Sequence, residues 1–301
     1  MHKPAFLITI DTEGDNLWQK HDSITTENAR YLPRFQQLCE KYGFKPVWLT
    51  NYEMAIDPVY IEFAKDAIAR GTAEIGMHLH AWNSPPTDPL TDDDWRHKPY
   101  LIEYSDAAMR AKVDYMTRLL EETFQTKMVS HRAGRWAFDE RYARLLMEYG
   151  YLVDCSVTPR VNWKTAKGAP QGDGGTDYRH FPQHAYFLDE NDIRREGQSS
   201  LLEVPMSIQY KHPAWMNSLK QGYDRLRGKV RSPSVHWLRP MGGNVETMKK
   251  VVEQTLTQGN DYVEYMLLST CPAAVQRLKT SRISSVYMPI WSLFSAGWRR
   301  R

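Results

Sequence analysis

Four side chains with the spacing of metal ligands end two apolar segments of this chain. Asp11 and Glu13 follow the apolar run 6–10, and His78 and His80 close a second segment of the same kind. Residues two apart on a strand point to the same side, so each pair can converge on one point. A carboxylate with two imidazoles is a ligand set for a divalent cation, typically zinc with one position left for water. Metal-assisted hydrolysis is therefore the first hypothesis.

Each pair alone has a simpler interpretation. A short His-x-His is more often a surface or hydrogen-bonded pair than a metal site, and carboxylates at strand ends commonly belong to turns. The two pairs together, each after a strand of buried character, favour a site. An amidohydrolase-type centre also uses His-x-His, but it places that pair on its first strand, where this chain has Asp-x-Glu.

A third group of polar side chains follows another predicted strand and includes Arg132 and Trp136. An arginine at the same rim could pair with a carboxylate and hold it ionised and oriented; a surface ion pair is the alternative. Asp154, which ends the next strand segment, is the predicted partner of Arg132. Trp136 offers an apolar face of the kind on which sugar rings stack, although core packing is the commoner role of a tryptophan.

Short apolar strands alternate with amphipathic helices along the chain, an order typical of α/β architecture. Seven strands are predicted, at 5–10, 46–50, 74–80, 128–131, 152–156, 201–205 and 262–267. Five helices are predicted between them, at 29–41, 58–70, 106–123, 139–149 and 245–258. The helix at 106–123 has an apolar stripe at helical period, which predicts its core face: Met109, Val113, Met116, Leu119 and Leu120.

Two long segments interrupt this alternation. Residues 81–103 directly follow the His-x-His pair and could form a wall or lid, because loops at the carboxyl ends of strands build active sites in barrels. A solvated insertion is the alternative. Residues 162–180 are rich in glycine and proline, and Gly174-Gly175 indicates a turn because no phosphate-binding pattern surrounds it.

The composition is that of an ordinary soluble globular protein, with 42% hydrophobic and 25% charged residues among 301. No apolar run approaches the length of a membrane span. The N-terminus leads into a strand without a signal-peptide pattern, so the cytoplasm is the expected location. Three widely spaced cysteines do not form a disulfide framework. No basic and aromatic pattern predicts nucleic-acid binding, and the oligomeric state is left open.

Taken in order, these motifs resemble those of the polysaccharide deacetylases, carbohydrate esterase family four. The resemblance rests on Asp11-Thr12-Glu13, on 74–80, on 132–136 and on Asp154, and it covers roughly residues 5 to 267. It is greatest for a bacterial subgroup with Asp-x-Glu-Gly-Asp and Glu-Ile-Gly-x-His-x-His. It implies a distorted (β/α) barrel with about seven strands.

The resemblance also implies metal-dependent removal of acetyl groups from the N-acetylated sugars of a polysaccharide or its precursor. By position, Asp11 is the expected general base. Glu13, His78 and His80 are the expected ligands of a divalent metal, and zinc is expected from the ligand types. The family more usually has Asp at position 13 and a wider histidine spacing, so His80 departs from its pattern.

One further pair has a role by the same resemblance, whereas the sugar contacts are predicted from the place of three residues at the rim. Arg132 and Asp154 are the expected pair that tunes the general base. Three further residues are predicted to line the sugar site: Asp15, Trp82 and Trp136. The expected partner is therefore an N-acetylated oligosaccharide or polysaccharide.

The last predicted strand departs from the family pattern. The family has its general acid, a histidine, near the end of this strand, and Leu268 stands at that position. From residue 265 to 301 there are six Lys or Arg and no Asp or Glu, so the preceding residues carry a net charge of −3 against +3 overall. A shifted reading frame over 279–294 can encode an acidic helix. We therefore hypothesise a frameshift near codon 268, which the nucleotide sequence would test.

These observations divide the chain into a deacetylase-like barrel at 1–267 and an atypical basic tail at 268–301. They also leave an alternative open: the chain could be a catalytically impaired or sugar-binding protein that keeps the metal but lacks the general acid. Three other histidines could replace that acid: His131, His180 and His184. His131 is expected to face away from Arg132, its neighbour on the strand.

Overall fold

The central element of the fold is a curled sheet. A computed structural model describes residues 3–19, 23–228, 234–241 and 243–270 of the chain. Its strands are β1 (Ala5–Thr12), β2 (Val47–Thr50), β3 (Glu74–Leu79), β4 (Ser130–Ala133), β5 (Val153–Asp154), β6 (Tyr186–Phe187), β7 (Leu202–Glu203), β8 (Ile208–Tyr210), β9 (Val235–Trp237) and β10 (Tyr262–Leu268). Eight of these form one sheet in the order β10-β1-β2-β3-β4-β5-β7-β6. All of its neighbours are parallel except β6 and β7.

The sheet curls into a distorted barrel, as predicted. Strands β8 and β9 form a separate antiparallel pair, and α7 lies between them in the sequence. The Met266 N–H donates to Leu238 O at 3.1 Å, and the Glu264 N–H donates to Ser207 Oγ at 2.9 Å. These two bonds attach the pair to the edge of β10 that does not pair with β1. The pair therefore stands where a further barrel strand would.

Eight α-helices connect the described strands: α1 (Leu32–Lys41), α2 (Tyr52–Ala55), α3 (Pro58–Ala69), α4 (Asp94–His97), α5 (Asp106–Phe124), α6 (Glu140–Glu148), α7 (Ala214–Leu226) and α8 (Val245–Thr257). Three of the longer ones begin at side-chain caps. Asp57, Ser105 and Asp139 accept hydrogen bonds from the backbone N–H three residues on, which satisfies donors that the first helical turn leaves unpaired.

All seven predicted strands and all five predicted helices are present, with ends that differ by a few residues. The prediction missed β6, β8 and β9, which have only two or three residues each. It also missed α2, α4 and α7.

The apolar stripe of α5 is in the core, as predicted. Met109, Val113, Met116 and Leu120 are buried, and Leu119 is partly buried against the same cluster. Burial of each such side chain contributes about 1.5–3 kcal/mol. The helix also fixes the long segment after β3, because the buried Lys112 Nζ donates to two carbonyl oxygens of that segment at 2.7–2.8 Å. Part of residues 81–103 is therefore ordered structure.

The glycine-rich excursion contains the predicted turn, since Gly174 has a φ of +80°. Cys39 and Cys155 are free and buried, while Cys271 and the rest of the tail, with most of the hypothesised frameshift, lie outside the described residues. No helix among the described ranges combines the length and hydropathy needed to cross a bilayer.

Candidate metal centre and cleft

Three of the four side chains with the spacing of metal ligands meet at one point. Glu13 follows β1, His78 lies in β3 and His80 follows it. The Nε2 atoms of His78 and His80 lie 3.1 and 2.7 Å from Glu13 Oε1. All three side chains are buried, and one ligand atom of each lies within 4.8 Å of the others. Parallel β1 and β3 flank β2 in the sheet, so their carboxyl ends share a rim.

The surroundings of these side chains fit a divalent cation. His78 Nδ1 lies 2.8 Å from Arg132 O, which fixes the ring so that Nε2 points at Glu13. Glu13 Oε2 accepts from Trp18 Nε1 at 2.7 Å, leaving Oε1 toward the imidazoles. His80 Nδ1 is buried without a hydrogen-bond partner among the described residues. One carboxylate and two imidazole nitrogens at a common point are a donor set that zinc takes in hydrolases.

The charges in this cluster are balanced locally. Burial opposes ionisation of Glu13, but hydrogen bonds from His78 and His80 hold its pKa well below the ordinary range. Burial likewise opposes protonation of His78, but Asp11 and Glu13 raise its pKa. Burial lowers the pKa of His80 to about 4, so its imidazole is neutral at pH 7. A neutral imidazole and an ionised carboxylate are the forms that bind a metal.

Asp11 lies beside this cluster and is held by an arginine. Arg132 Nη1 donates to Asp11 Oδ1 at 2.6 Å, and Arg132 Nε donates to Cys155 O at 2.9 Å. Arg132 Nη2 donates to Thr9 Oγ1 at 2.7 Å and also to Glu264 Oε1. The guanidinium is fully buried, which costs several kcal/mol unless it is paired in this way. The predicted contact of Arg132 with a carboxylate at this rim is therefore present, and the carboxylate is that of Asp11.

The predicted pairing of Arg132 with Asp154 is wrong. Asp154 Oδ1 instead lies 2.6 Å from His131 Nδ1, and Asp154 also accepts from Ser156. His131 and Asp154 are register partners on β4 and β5, so they share a face, and the next residue, Arg132, points to the other one. Glu264 takes the place that the prediction gave to Asp154.

The cluster opens into a cleft of about 210 Å³ with aromatic and basic walls. It is lined by Asp11, Glu13, Trp18, His78, His80, Tyr100, Ala133, Arg135, Trp136, Trp163, Ala166, Arg239, Met266 and Leu268. Tyr100 comes from residues 81–103, and Trp163 with Ala166 from residues 162–180. Both excursions thus contribute to the wall, the first as predicted.

The three predicted sugar contacts differ in position. Trp136 lines the cleft, with its ring over the Arg132 guanidinium at 4.9 Å. Trp82 packs against the His80 ring, at 4.3 Å between centroids, and Asp15 accepts from Thr25 Oγ1 at 2.9 Å. Neither is among the described lining residues. Both residues lie in turns after β1 and β3 have ended, so their side chains do not reach the cleft.

The backbone before α6 is strained where it delivers two cleft residues. Arg135 and Trp136 have φ values of 55° and 64°, in the left-handed region that non-glycine residues rarely adopt. Gly134 precedes them, and a Cβ there would lie 2.6 Å from His80 Nδ1 and closer still to Leu79 O. Such strain is typical of functional sites.

Leu268 occupies the position predicted for the general acid. It pairs in register with Asp11 across β1 and β10, and its side chain lines the cleft. The three alternative histidines lie elsewhere. His131 is fully buried between Asp154 and Tyr142, His184 bonds Glu196 on the surface, and His180 is exposed.

Several residues that support the site were missed by the sequence interpretation. Glu264 is a lone acid in the apolar run of β10. Because a buried carboxylate is costly unless it is paired, this position could have indicated a buried basic partner. Ser269 Oγ accepts from the Glu13 N–H at 2.8 Å and donates to Glu13 O at 2.9 Å. Trp18 and Tyr100 lie in irregular segments whose reach toward the cleft has no periodic signature.

Known structures support the fold. No family model matches the sequence, and no curated protein matches it either. The structure is similar to that of a Mycobacterium smegmatis protein classed as a polysaccharide deacetylase, with a TM-score of 0.57 and 14% identity over 97% of this chain and 84% of that one. It is also similar to a 4-alpha-glucanotransferase from Thermococcus litoralis, with a TM-score of 0.51 and 11% identity over 98% of this chain and 38% of that one. The predicted fold, an α/β architecture with a distorted (β/α) barrel, is thus confirmed.

Proposed function

We propose that this chain is a member of the polysaccharide deacetylases and a metal-dependent hydrolase that removes acetyl groups from N-acetylated sugars. The observation that carries the proposal is the convergence of Glu13, His78 and His80 in a cleft that Asp11 also lines. A polysaccharide or its precursor is the proposed substrate, and zinc the proposed metal. The cytoplasmic location stays a prediction from the sequence.

The residues of the cleft have roles that suit amide hydrolysis. A divalent cation held by Glu13, His78 and His80 would supply Lewis acidity to the acetyl carbonyl and to water. Asp11 accepts the proton of the attacking water, as a general base within the same cleft. Arg132 keeps that carboxylate ionised and fixes its orientation through the 2.6 Å bond to Oδ1. Trp136 and Trp163 offer apolar faces to a sugar ring.

Two measurements test the proposal. The purified chain should hold one equivalent of divalent metal, and His78→Ala should lose it. Acetate release from N-acetylated oligosaccharides should then depend on added zinc, and Asp11→Asn should lower it at least about 100-fold while keeping the metal. Metal binding that survives His78→Ala, or acetate release that Asp11→Asn leaves unchanged, would contradict the assignment.

A second candidate function is a binding protein that keeps the metal centre without turnover. Leu268 supports it, since an apolar side chain that lines the cleft cannot protonate the leaving amine. This candidate predicts stoichiometric metal and a measurable affinity for an N-acetylated oligosaccharide, with no acetate released. Wild-type acetate release that Asp11→Asn abolishes would exclude it.

A further inference from the structure

The surface carries an unusual concentration of exposed apolar side chains on α7. Among the described residues, five exposed large hydrophobic side chains belong to this one helix: Trp215, Met216, Leu219, Tyr223 and Leu226. Leu226 is 89% exposed, and Leu219 is 67% exposed. Single apolar residues on a surface need no explanation, but a contiguous group of them marks an interaction site.

These five side chains form one stripe, which we call the α7 stripe. At about 100° per residue along a helix, positions 215, 216, 219, 223 and 226 fall within an arc of about 100°. The buried Asn217 lies about 150° from the middle of that arc by the same geometry, and its Nδ2 donates to His212 O at 3.0 Å. The helix therefore turns a polar residue toward the protein and its apolar face outward, the reverse of an ordinary surface helix.

The sequence around the stripe is strongly basic. Residues 211–231 contain six Lys or Arg and one Asp: Lys211, Lys220, Arg225, Arg227, Lys229, Arg231 and Asp224. An outward face of Trp, Leu and Tyr in a segment rich in Lys and Arg is the pattern of a helix that lies in the interface of an anionic membrane.

We propose that α7 docks this protein on an anionic lipid surface. The α7 stripe would enter the headgroup region, and the described basic side chains that flank it, Lys211 and Arg227, would approach the lipid phosphates. The inference is independent of the proposed reaction, because the five described residues of the α7 stripe do not line the cleft. It requires no spanning helix, since the helix lies parallel to the membrane.

Charge and apolar contact together favour an anionic membrane over other partners of the α7 stripe. A second copy of the chain would bring two segments of the same positive charge together, which opposes association at low ionic strength. Nucleic acid would satisfy the charge but leave Leu219 and Leu226 without apolar contact, since aliphatic side chains do not stack on bases. An anionic membrane satisfies both the charge and the apolar stripe.

Co-sedimentation of the full chain with vesicles tests the proposal. The chain should bind vesicles of phosphatidylcholine with phosphatidylglycerol, bind pure phosphatidylcholine weakly, and lose binding as salt is added. Leu219→Glu with Tyr223→Glu should lower partitioning at least about tenfold, since both charges would enter the apolar region. Arg225→Gln with Arg227→Gln should also lower it about tenfold or more.

The matched control is Ile56→Glu with Leu90→Glu, which changes two exposed apolar side chains elsewhere on the surface. It should bind as the wild type does. Three outcomes would overturn the proposal: no dependence on phosphatidylglycerol, equal binding by wild type and the Leu219→Glu, Tyr223→Glu variant, or an equal loss in the control. Self-association that the same variant abolishes, without vesicle binding, would assign the stripe to a second copy instead.

Discussion

In the proposed hydrolase, catalytic competence depends most directly on Leu268. It lines the cleft and pairs in register with Asp11, so a protic side chain there would face the same space as this proposed general base. Leu268→His should raise the rate of acetate release at least about tenfold, because general-acid catalysis contributes factors of about 10² to 10⁴. The measurement is the initial rate at saturating zinc.

Met266→His is the matched control for this gain. Met266 lies on the same strand and the same face, two residues deeper, and also lines the cleft. An equal gain from both variants would show that position 268 has no special role.

Glu53 is a buried carboxyl that makes folding depend on pH. Burial raises its pKa to about 7 from an ordinary 4.5, so its contribution to stability is full below pH 4.5 and is lost as the pH rises through 7. This difference in the pKa of Glu53 corresponds to roughly 3 kcal/mol of unfolding free energy. Glu53→Gln should therefore lose less unfolding free energy than wild type between pH 5 and pH 8, measured by urea denaturation with a chelator present. Parallel curves for the two proteins would contradict this.

The positions of site residues could be predicted where they depend on neighbours close in the sequence. Asp-x-Glu and His-x-His needed only the two-residue period of a strand to place both pairs on a common rim. The partner of Arg132 was not predictable in this way. Glu264 is 132 residues from Arg132, and which strand lies across the barrel depends on the closure of the whole sheet.

At the level of elements, Gly134 allows β4 to end close to β3. A Cβ at this position would press on Leu79 O and on His80 Nδ1. Gly134→Ala should therefore displace His80 and weaken zinc affinity about tenfold or more, because metal ligands tolerate little displacement. Competition with a chromophoric chelator measures this affinity.

Gly222→Ala provides the comparison for that variant. Gly222 has no neighbouring atom within 4 Å of an added Cβ and lies in α7, far from the cluster in sequence. Its zinc affinity should equal that of the wild type. An unchanged affinity in Gly134→Ala would mean that the loop after β4 moves to accommodate the methyl group.

Apart from α7, element prediction succeeded where a segment was long enough to show a period, and β5 and β7 were found because the predicted segments 152–156 and 201–205 are longer than the paired strands. The helix α5 has four turns of apolar repeat, and β10 has seven residues. In contrast, β8 and β9 have three residues each and are defined by pairing with each other. That pairing joins residues separated by α7, so no local pattern reveals it.

For the molecule as a whole, the candidate metal centre depends on contacts between distant parts of the chain. Glu13 directly follows the first strand, His78 and His80 lie at the end of the third, and Ser269, which bonds the Glu13 backbone, follows β10. Thr9 and Glu264, 255 residues apart in sequence, share a buried hydrogen bond. The candidate ligands and their support therefore converge only when the neighbouring strands β10, β1, β2 and β3 have paired, so metal binding should be coupled to global folding.

This coupling predicts that zinc stabilises the protein and that the effect requires the histidines. At a free concentration one hundred times the Kd, a ligand that binds only the native state adds about 2.7 kcal/mol, which for a chain of 301 residues corresponds to about 4 °C in Tm. Differential scanning fluorimetry with and without zinc measures this shift. His78→Ala should show none, whereas His184→Ala, which changes an exposed histidine, should retain it. A shift of equal size in His78→Ala would indicate zinc bound elsewhere.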